Sequence, residues 1–179
     1  DVVLGPRLLR TLRSAGRLAR VGPRAVWGAL VRLERFAVYS ADPRRIASTL
    51  VDEPGWSMRP MSDSDLRGLR GTPFDEQAKR FARTGFNCAH GLFFKGELVH
   101  VAWLIESDVD RSRAVRHVSL RPGEMEITHC FTSYERRGGG AYRRAIIRLC
   151  AEAARLDCRR IFMITSLENR ASQRGIEKA

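Results

Sequence analysis

Acidic residues are too few in this chain to balance the basic ones. Twenty Asp and Glu stand against 32 Lys and Arg, and the formal net charge of +12 is carried almost wholly by arginine. That deficit favours anionic partners: a phosphorylated cofactor, a nucleic acid or an acidic membrane surface. Cysteine is sparse. Cys88, Cys130, Cys150 and Cys158 form no CxxC pair and no metal-ligand spacing, which argues against a disulfide scaffold or a zinc module. They read as reduced, mostly buried thiols of a cytosolic protein, and no metal is expected. Long apolar runs are missing: none reaches the roughly 18 residues that a membrane helix needs, and no signal-peptide pattern is visible. Internal repeats and low-complexity tracts are absent too. The sequence opens without methionine and stops inside a helical pattern, which suggests a truncated C-terminus.

What is present is a globular composition, 44% hydrophobic and 29% charged, in a length suited to one domain plus a segment. Residues 5–35 hold eight arginines and one acid, Glu34. Arg7, Arg10, Arg13, Arg17 and Arg20 recur every three or four positions beside Leu8, Leu12, Ala15 and Ala19, the spacing of an amphipathic helix. Gly22-Pro23 breaks it, and a second helix is expected from Pro23 to about Glu34. Such helices either pack on the domain or lie on anionic lipid. Nucleic acid is disfavoured, because a single aromatic residue, Trp27, falls among the arginines, too few for a row of stacking platforms. Residues 1–54 are therefore expected to form a basic helical extension, packed on or appended to a domain over 55–179.

Within that domain, WSMRP reads as a strand, Ser62 or Asp63 as a helix N-cap, and Asp75–Thr84 as a helix ended by Gly85. CAHGLFF and ELVHVAWLI read as a hairpin turned at Lys95-Gly96. Residues 106–123 are loop-like, with VRHVSL extended. A strand follows over Glu124–Thr132, then a helix over 140–157 with Ile146, Leu149, Cys150 and Ala153 on its inner face. RIFMITS (160–166) is a buried-type strand, and Asn169 opens a last helix. Together these give an α/β fold, a mixed sheet with helices on both faces.

The stretch EITHCFTSYERRGGGAY (126–142) carries the chemistry. Gly138, Gly139 and Gly140 follow Arg136 and Arg137 and lead into a helix. A glycine turn can aim several N–H groups at one point, and a helix N-terminus adds its positive dipole end. This is a cradle for phosphate or pyrophosphate.

Three motifs resemble the GNAT superfamily of acyl-CoA-dependent N-acyltransferases. MRPMSDSDL is similar to its opening strand and helix, of the form R-x-x-x-x-x-D. ERRGGGAY resembles its acyl-CoA loop, in the register Arg136-x-x-Gly139-x-Ala141 or Arg137-x-x-Gly140-x-Tyr142; the second puts Ile146 on the inner face of the helix. ENRASQRGIEKA resembles its Asn-containing helix. The wording is similar to bacterial acetyltransferases of polysaccharide and small-molecule metabolism. The resemblance implies a GNAT-like fold and acetyl-CoA as acyl donor. The strand near Cys130 and Thr132 would hold pantetheine, the amides of Gly138 to Tyr142 the pyrophosphate with Arg136 or Arg137 adding charge-assisted bonds, and Asn169 and Ser172 would contact the cofactor, Asn169 also capping the last helix. The acceptor would be a small-molecule amine, attacking directly in a ternary complex.

Amine acylation needs a base, an oxyanion donor and an acid for the departing thiolate. Plain alternation puts Glu124, Glu126, Thr128, Cys130 and Thr132 on one face of the strand and Met125, Ile127, His129 and Phe131 on the other. Glu126 is the first candidate base, eleven residues before Arg137, an offset similar to that of the histone acetyltransferase branch. His129 is the rival. Many family members carry an acid tyrosine seven residues after the Asn; here that position is Ile176, so Tyr142, Tyr134, Ser172 or a water must serve. The alternative reading is a catalytically weak CoA-binding module, held at a membrane or nucleic acid through residues 5–35.

Overall fold

Local turn and cap chemistry sets the strand boundaries, and a single strand, the seventh, holds the two ends of the chain together. The computed structural model describes residues 2–9, 32–107 and 117–179. The strands are β1 (Val2–Leu9), β2 (Arg32–Ala41), β3 (Trp56–Pro60), β4 (Ala89–Phe94), β5 (Glu97–Glu106), β6 (Glu124–Thr132) and β7 (Arg160–Ser166). The helices are α1 (Pro43–Ala47), α2 (Asp63–Gly68), α3 (Asp75–Thr84), α4 (Ala141–Arg155) and α5 (Arg170–Glu177). They build one seven-stranded sheet in the order β1-β2-β7-β6-β5-β4-β3. Every neighbouring pair is antiparallel except β6 and β7.

The expected hairpin closes at Lys95-Gly96, both with positive φ (49° and 84°). That is the combination that matches strand twist in a two-residue turn. Ser62 caps α2 in a reciprocal box with Asp65. Arg59 grips the same Asp65 at 2.8 Å, so the R-x-x-x-x-x-D spacing fastens the opening strand to the first helix turn. α3 ends on Gly85 in the left-handed region.

The two faces of the sheet are covered by different helices. Leu66, Phe74 and Phe81 of the α2–α3 layer pack against Val101, Trp103 and Ile105. On the opposite face Ile146, Leu149, Cys150 and Ala153 of α4 pack against Ala102, Leu104, Met125 and Ile127, as the spacing of those α4 residues predicts.

The N-terminal expectation is corrected where the structure describes it. Residues 5–9 and 32–35 are strand rather than helix. The remainder of the expected arginine helices, with Arg10 to Arg20 and Pro23, lies outside the described residues. The physical reason is an edge to be filled: β7 is paired with β6 on one side, and β2 completes it on the other, with Phe36 opposite Ser166 and Ala41 opposite Ile161. A strand edge left open is costly, and the apolar alternation of FAVYS suits it. Residues 32–54 thus supply a strand and α1 to the same sheet and helix layer as 55–179.

Candidate functional site

The site starts from one extra residue in β6. Val101 of β5 pairs with Phe131 and Trp103 with Thr128, so Ala102 faces two residues, His129 and Cys130. His129 takes the left-handed conformation that this bulge demands, with φ of 50°. Gln77 of α3 holds it there: its Nε2 donates to the His129 carbonyl at 3.1 Å, while its Oε1 accepts from the Trp103 indole at 2.9 Å. These bonds offset the strain of a non-glycine residue at positive φ, roughly 1 kcal/mol or more.

The bulge changes the faces that plain alternation predicts, and this corrects the expected arrangement. Glu126 and Thr128, paired with Ile105 and Trp103, face the α2–α3 layer. Cys130 crosses to join Met125 and Ile127 under α4, and Phe131 moves to the α2–α3 side. His129 stays with Glu126's face, its ring edge-on to Trp103 at 5.8 Å. One residue of slip inverts every side chain beyond it.

The bulge also parts the sheet. β6 and β7 are paired only from Glu124–Arg160 to Ile127–Met163. Beyond Ile127 the main chain of β6 is open toward β7, and a cleft of about 510 Å³ runs from there to the N-terminus of α4. Cys130, Phe131 and Thr132 form its floor, Tyr142 one wall, and Asn169 and Ser172 of the α5 segment the other. Arg136, Arg137, Gly138, Gly140 and Ala141 form its mouth. Of the expected cofactor residues only Gly139 does not line it; its carbonyl accepts from Arg144 at 2.9 Å.

The mouth is built to receive negative charge. Arg144 N donates to Gly140 O as the first backbone bond of α4, leaving the amides of Ala141, Tyr142 and Arg143 unbonded within the helix. No side chain caps this terminus and no acid sits in its first turn. Gly138 and Gly140 have φ of 80° and 78°, values that L side chains rarely adopt. Among the described residues, Arg136, Arg137, Arg143, Arg174 and Lys178 line the cleft and no carboxylate does. Their commitments differ. Arg136 is ion-paired to Glu97. Arg137 donates to the Thr132 carbonyl at 3.3 Å and lies 4.0 Å over the Tyr134 ring. Arg144, behind the turn, is tied to Glu53 at 2.6 Å.

Tyr142 projects from the first turn of α4 across the cleft. Its hydroxyl lies 3.0 Å from Ser172 Oγ, and its ring packs against Gly175 so closely that a Cβ there would come within 2.7 Å of Cε1. Burial above all, with the Cys130 thiol beside it, pushes the hydroxyl well above the ordinary phenol range. The group is therefore protonated at neutral pH and able to donate. Cys130 is likewise pushed up to about 12, mainly by burial and then by the charge of Glu126. A thiol so high is a poor nucleophile. Asn169 accepts from Ser172 N at 3.0 Å and so caps α5, while Ile176 packs into the apolar layer under α4.

Glu126 is fully buried and its oxygens are occupied. Its Oε2 accepts from the main-chain N–H of His117 at 2.8 Å and of Val118 at 3.3 Å. Its Oε1 lies 2.7 Å from His117 Nδ1. Sequence reading passes over His117. The only signal for it is the extended VRHVSL pattern inside a charged loop.

One buried histidine belongs to the wall of the cleft. His100 is fully buried, with Nδ1 2.7 Å from Thr132 Oγ1, and burial lowers its pKa to about 3. The folded state therefore keeps it neutral while the unfolded chain titrates near 6.5. The unfolded state binds the extra proton as pH falls below 6.5, so stability is present above that pH and is lost on the way down toward 3. Between pH 7 and 5 the loss is expected to be about 2 kcal/mol. Urea unfolding at both pH values checks it, and His100→Gln should flatten the difference.

Comparison with known proteins gives the architecture a place. No family model and no curated protein matches the sequence. Solved structures do match. An acetyltransferase of the GNAT family from Colwellia psychrerythraea superposes with a TM-score of 0.55 at 14% identity, over 79% of this chain and 50% of that one. A conserved Staphylococcus epidermidis protein of unknown function gives 0.56 at 9%, over 80% and 56%. A Drosophila protein gives 0.53 at 12%, over 81% and 46%. The chain spans about half the length of these structures. At such identities the likeness is one of fold: this is the mixed sheet and helix arrangement of the GNAT acetyltransferases.

Proposed function

We propose that this protein is an acyl-CoA-dependent N-acyltransferase that moves an acetyl or other short acyl group to a primary amine. The observation that carries the reading is the cleft between β6 and β7. It joins an open strand edge, an uncapped helix N-terminus and, among the described residues, five cationic side chains and no carboxylate. A ligand that fills it needs an extended amide-bearing arm for the strand and a highly charged end for the mouth, which describes coenzyme A. Acetyl-CoA supplies a thioester, an acyl carbon already activated toward amines.

This chain's residues then have distinct tasks. The β6 main chain over 128–132 orients the arm, and the amides of the 138–142 turn and α4 hold the pyrophosphate. Tyr142, protonated and aimed into the cleft, donates to the departing sulfur in place of the tyrosine that Ile176 replaces. The inert Cys130 favours direct attack by the amine over a covalent acyl-enzyme.

The test is thiol release from acetyl-CoA across a panel of polyamines, amino sugars, amino acids and peptides. The reading predicts release above hydrolysis with at least one class. Tight acetyl-CoA binding with no release from any class would favour a CoA-binding module instead. Attachment of residues 5–35 to anionic lipid is a separate proposal, read by liposome sedimentation at two salt concentrations, since an electrostatic attachment weakens with salt.

A further inference from the structure

We infer that the junction of α4 and α5, through Arg143, Arg174 and Lys178, binds the 3′-phosphate of the donor and so selects free acyl-CoA over donors that carry the same arm without that group; this rests on the acyltransferase reading above. Among the described residues five cationic side chains line the cleft, two on the β6 side and three on the α4–α5 side. The β6 pair is largely committed to the protein. Arg136 is ion-paired to Glu97. Arg137 donates to the Thr132 carbonyl and lies over the Tyr134 ring.

The α4–α5 group is not committed in this way. Arg174 and Lys178 are exposed, and among the described residues neither side chain holds an ion pair or a hydrogen bond. Glu177, the carboxylate between them in sequence, turns to Tyr39 of β2 and accepts from its hydroxyl at 3.1 Å. Arg174 lies one turn before Lys178, the C-cap of α5, so their side chains share one face of the helix. Arg143 reaches the same place from α4: its Nε donates to the Lys178 carbonyl at 2.6 Å. The Tyr142 ring against Gly175 holds α5 close to the first turn of α4. Three cations therefore meet beside the free amides of Ala141, Tyr142 and Arg143. A helix C-terminus attracts cations on its own, but that does not bring in Arg143 from another helix or turn the group toward the cleft.

Coenzyme A presents two separate anions. The pyrophosphate is matched by the convergent N–H groups of the 138–142 turn. The 3′-phosphate hangs from the ribose beyond it, carries a charge of about −2 at neutral pH and offers its acceptor oxygens to one point. Guanidinium forks and an ammonium suit that group. With Arg136 and Arg137 committed on the other side, the α4–α5 junction holds the uncommitted positive charge of the mouth. Pantetheine held on a carrier protein, or coenzyme A without its 3′-phosphate, would thread the same strand edge but leave this junction empty. No bond forms or breaks in the recognition, so the effect falls on donor affinity.

The experiment titrates the full chain with acetyl-CoA and with acetyl-3′-dephospho-CoA by calorimetry. Wild type should bind acetyl-CoA about 10- to 100-fold more tightly, the range of one or two charge-assisted hydrogen bonds. The gap should narrow with added salt, because the groups are exposed. Arg174→Gln combined with Lys178→Gln should weaken acetyl-CoA by about the same factor and leave the Kd of the dephospho donor within about twofold. Neither side chain is part of the core, and circular dichroism confirms the fold. Equal wild-type affinity for the two donors overturns the inference. So does a double variant that keeps the wild-type preference, which puts the phosphate elsewhere, or one that weakens both donors alike, which marks a general attraction of the basic mouth. A folded wild-type chain that binds neither donor overturns the acyl-CoA reading itself, and this inference with it.

Discussion

Gly140→Val is expected to weaken acetyl-CoA binding at least 100-fold in a chain that still folds. The residue sits at φ of 78° as the N-cap of α4, where a β-branched side chain costs about 1–3 kcal/mol of backbone strain. Its Cβ would also lie 2.6 Å from an Arg144 guanidinium nitrogen. That nitrogen anchors the Gly139 carbonyl, and the same guanidinium holds Glu53 and covers the Trp56 ring. A flexible arginine can move away, so the clash alone is mild. The larger effect is on the turn, because relief of either strain rotates the amides of 138–142 away from one another. Loss of a converging set of N–H donors to a doubly charged group should weaken binding at least 100-fold, about 2.7 kcal/mol. Calorimetric titration reads the affinity, and circular dichroism confirms that the sheet and helices remain. Binding within a few-fold of wild type would place the pyrophosphate elsewhere.

Gly175→Ala should impair both stability and turnover, although the substitution improves helix propensity. The gain from propensity in α5 is about 1 kcal/mol at most. Against it stands a Cβ within 2.7 Å of Tyr142 Cε1, and a ring wedged between α5 and β6 cannot withdraw as a lysine tip would. Overpacking of this kind costs about 1–3 kcal/mol, so the net change is a destabilisation of about 1 kcal/mol. The ring moves instead, breaking the 3.0 Å contact to Ser172 and turning the hydroxyl out of line. Turnover should fall about 100-fold, the scale on which a general acid contributes, and Tyr142→Phe should reproduce the loss without the destabilisation. Urea midpoints and thiol release separate the two effects. A stabilised Gly175→Ala with full turnover would remove Tyr142 from the acid role.

Features set by neighbouring residues were legible in the sequence. The Lys95-Gly96 turn, the Ser62 cap, the bounds of β6 and the inner face of α4 all follow from local backbone and spacing rules, and the structure keeps them. The glycine turn before α4 is legible for the same reason, since three glycines ahead of a helix state their backbone geometry directly. What escaped depends on distant partners. The bulge at His129 is held by Gln77, 52 positions away, and no local signal marks His129 for positive φ. Because alternation beyond the bulge inverts, the expected grouping of Glu126 with Cys130 failed. The role of β2 depends on an edge of β7 that exists only after the sheet assembles. Arginines spaced at three and four looked helical at Arg7, yet Val2–Leu9 pairs as a strand with β2. His117 escaped because its contact with Glu126, nine residues on and across a turn, leaves no local signal.

The most direct test of the central claim is a titration of the wild-type chain with acetyl-CoA at two ionic strengths. The account predicts one site with a Kd between about 1 µM and 1 mM, weakening as salt screens the basic mouth. It also predicts that free coenzyme A competes and that Gly140→Val shows no saturation in the same range. A folded wild-type chain that binds no acetyl-CoA at millimolar concentration would contradict it.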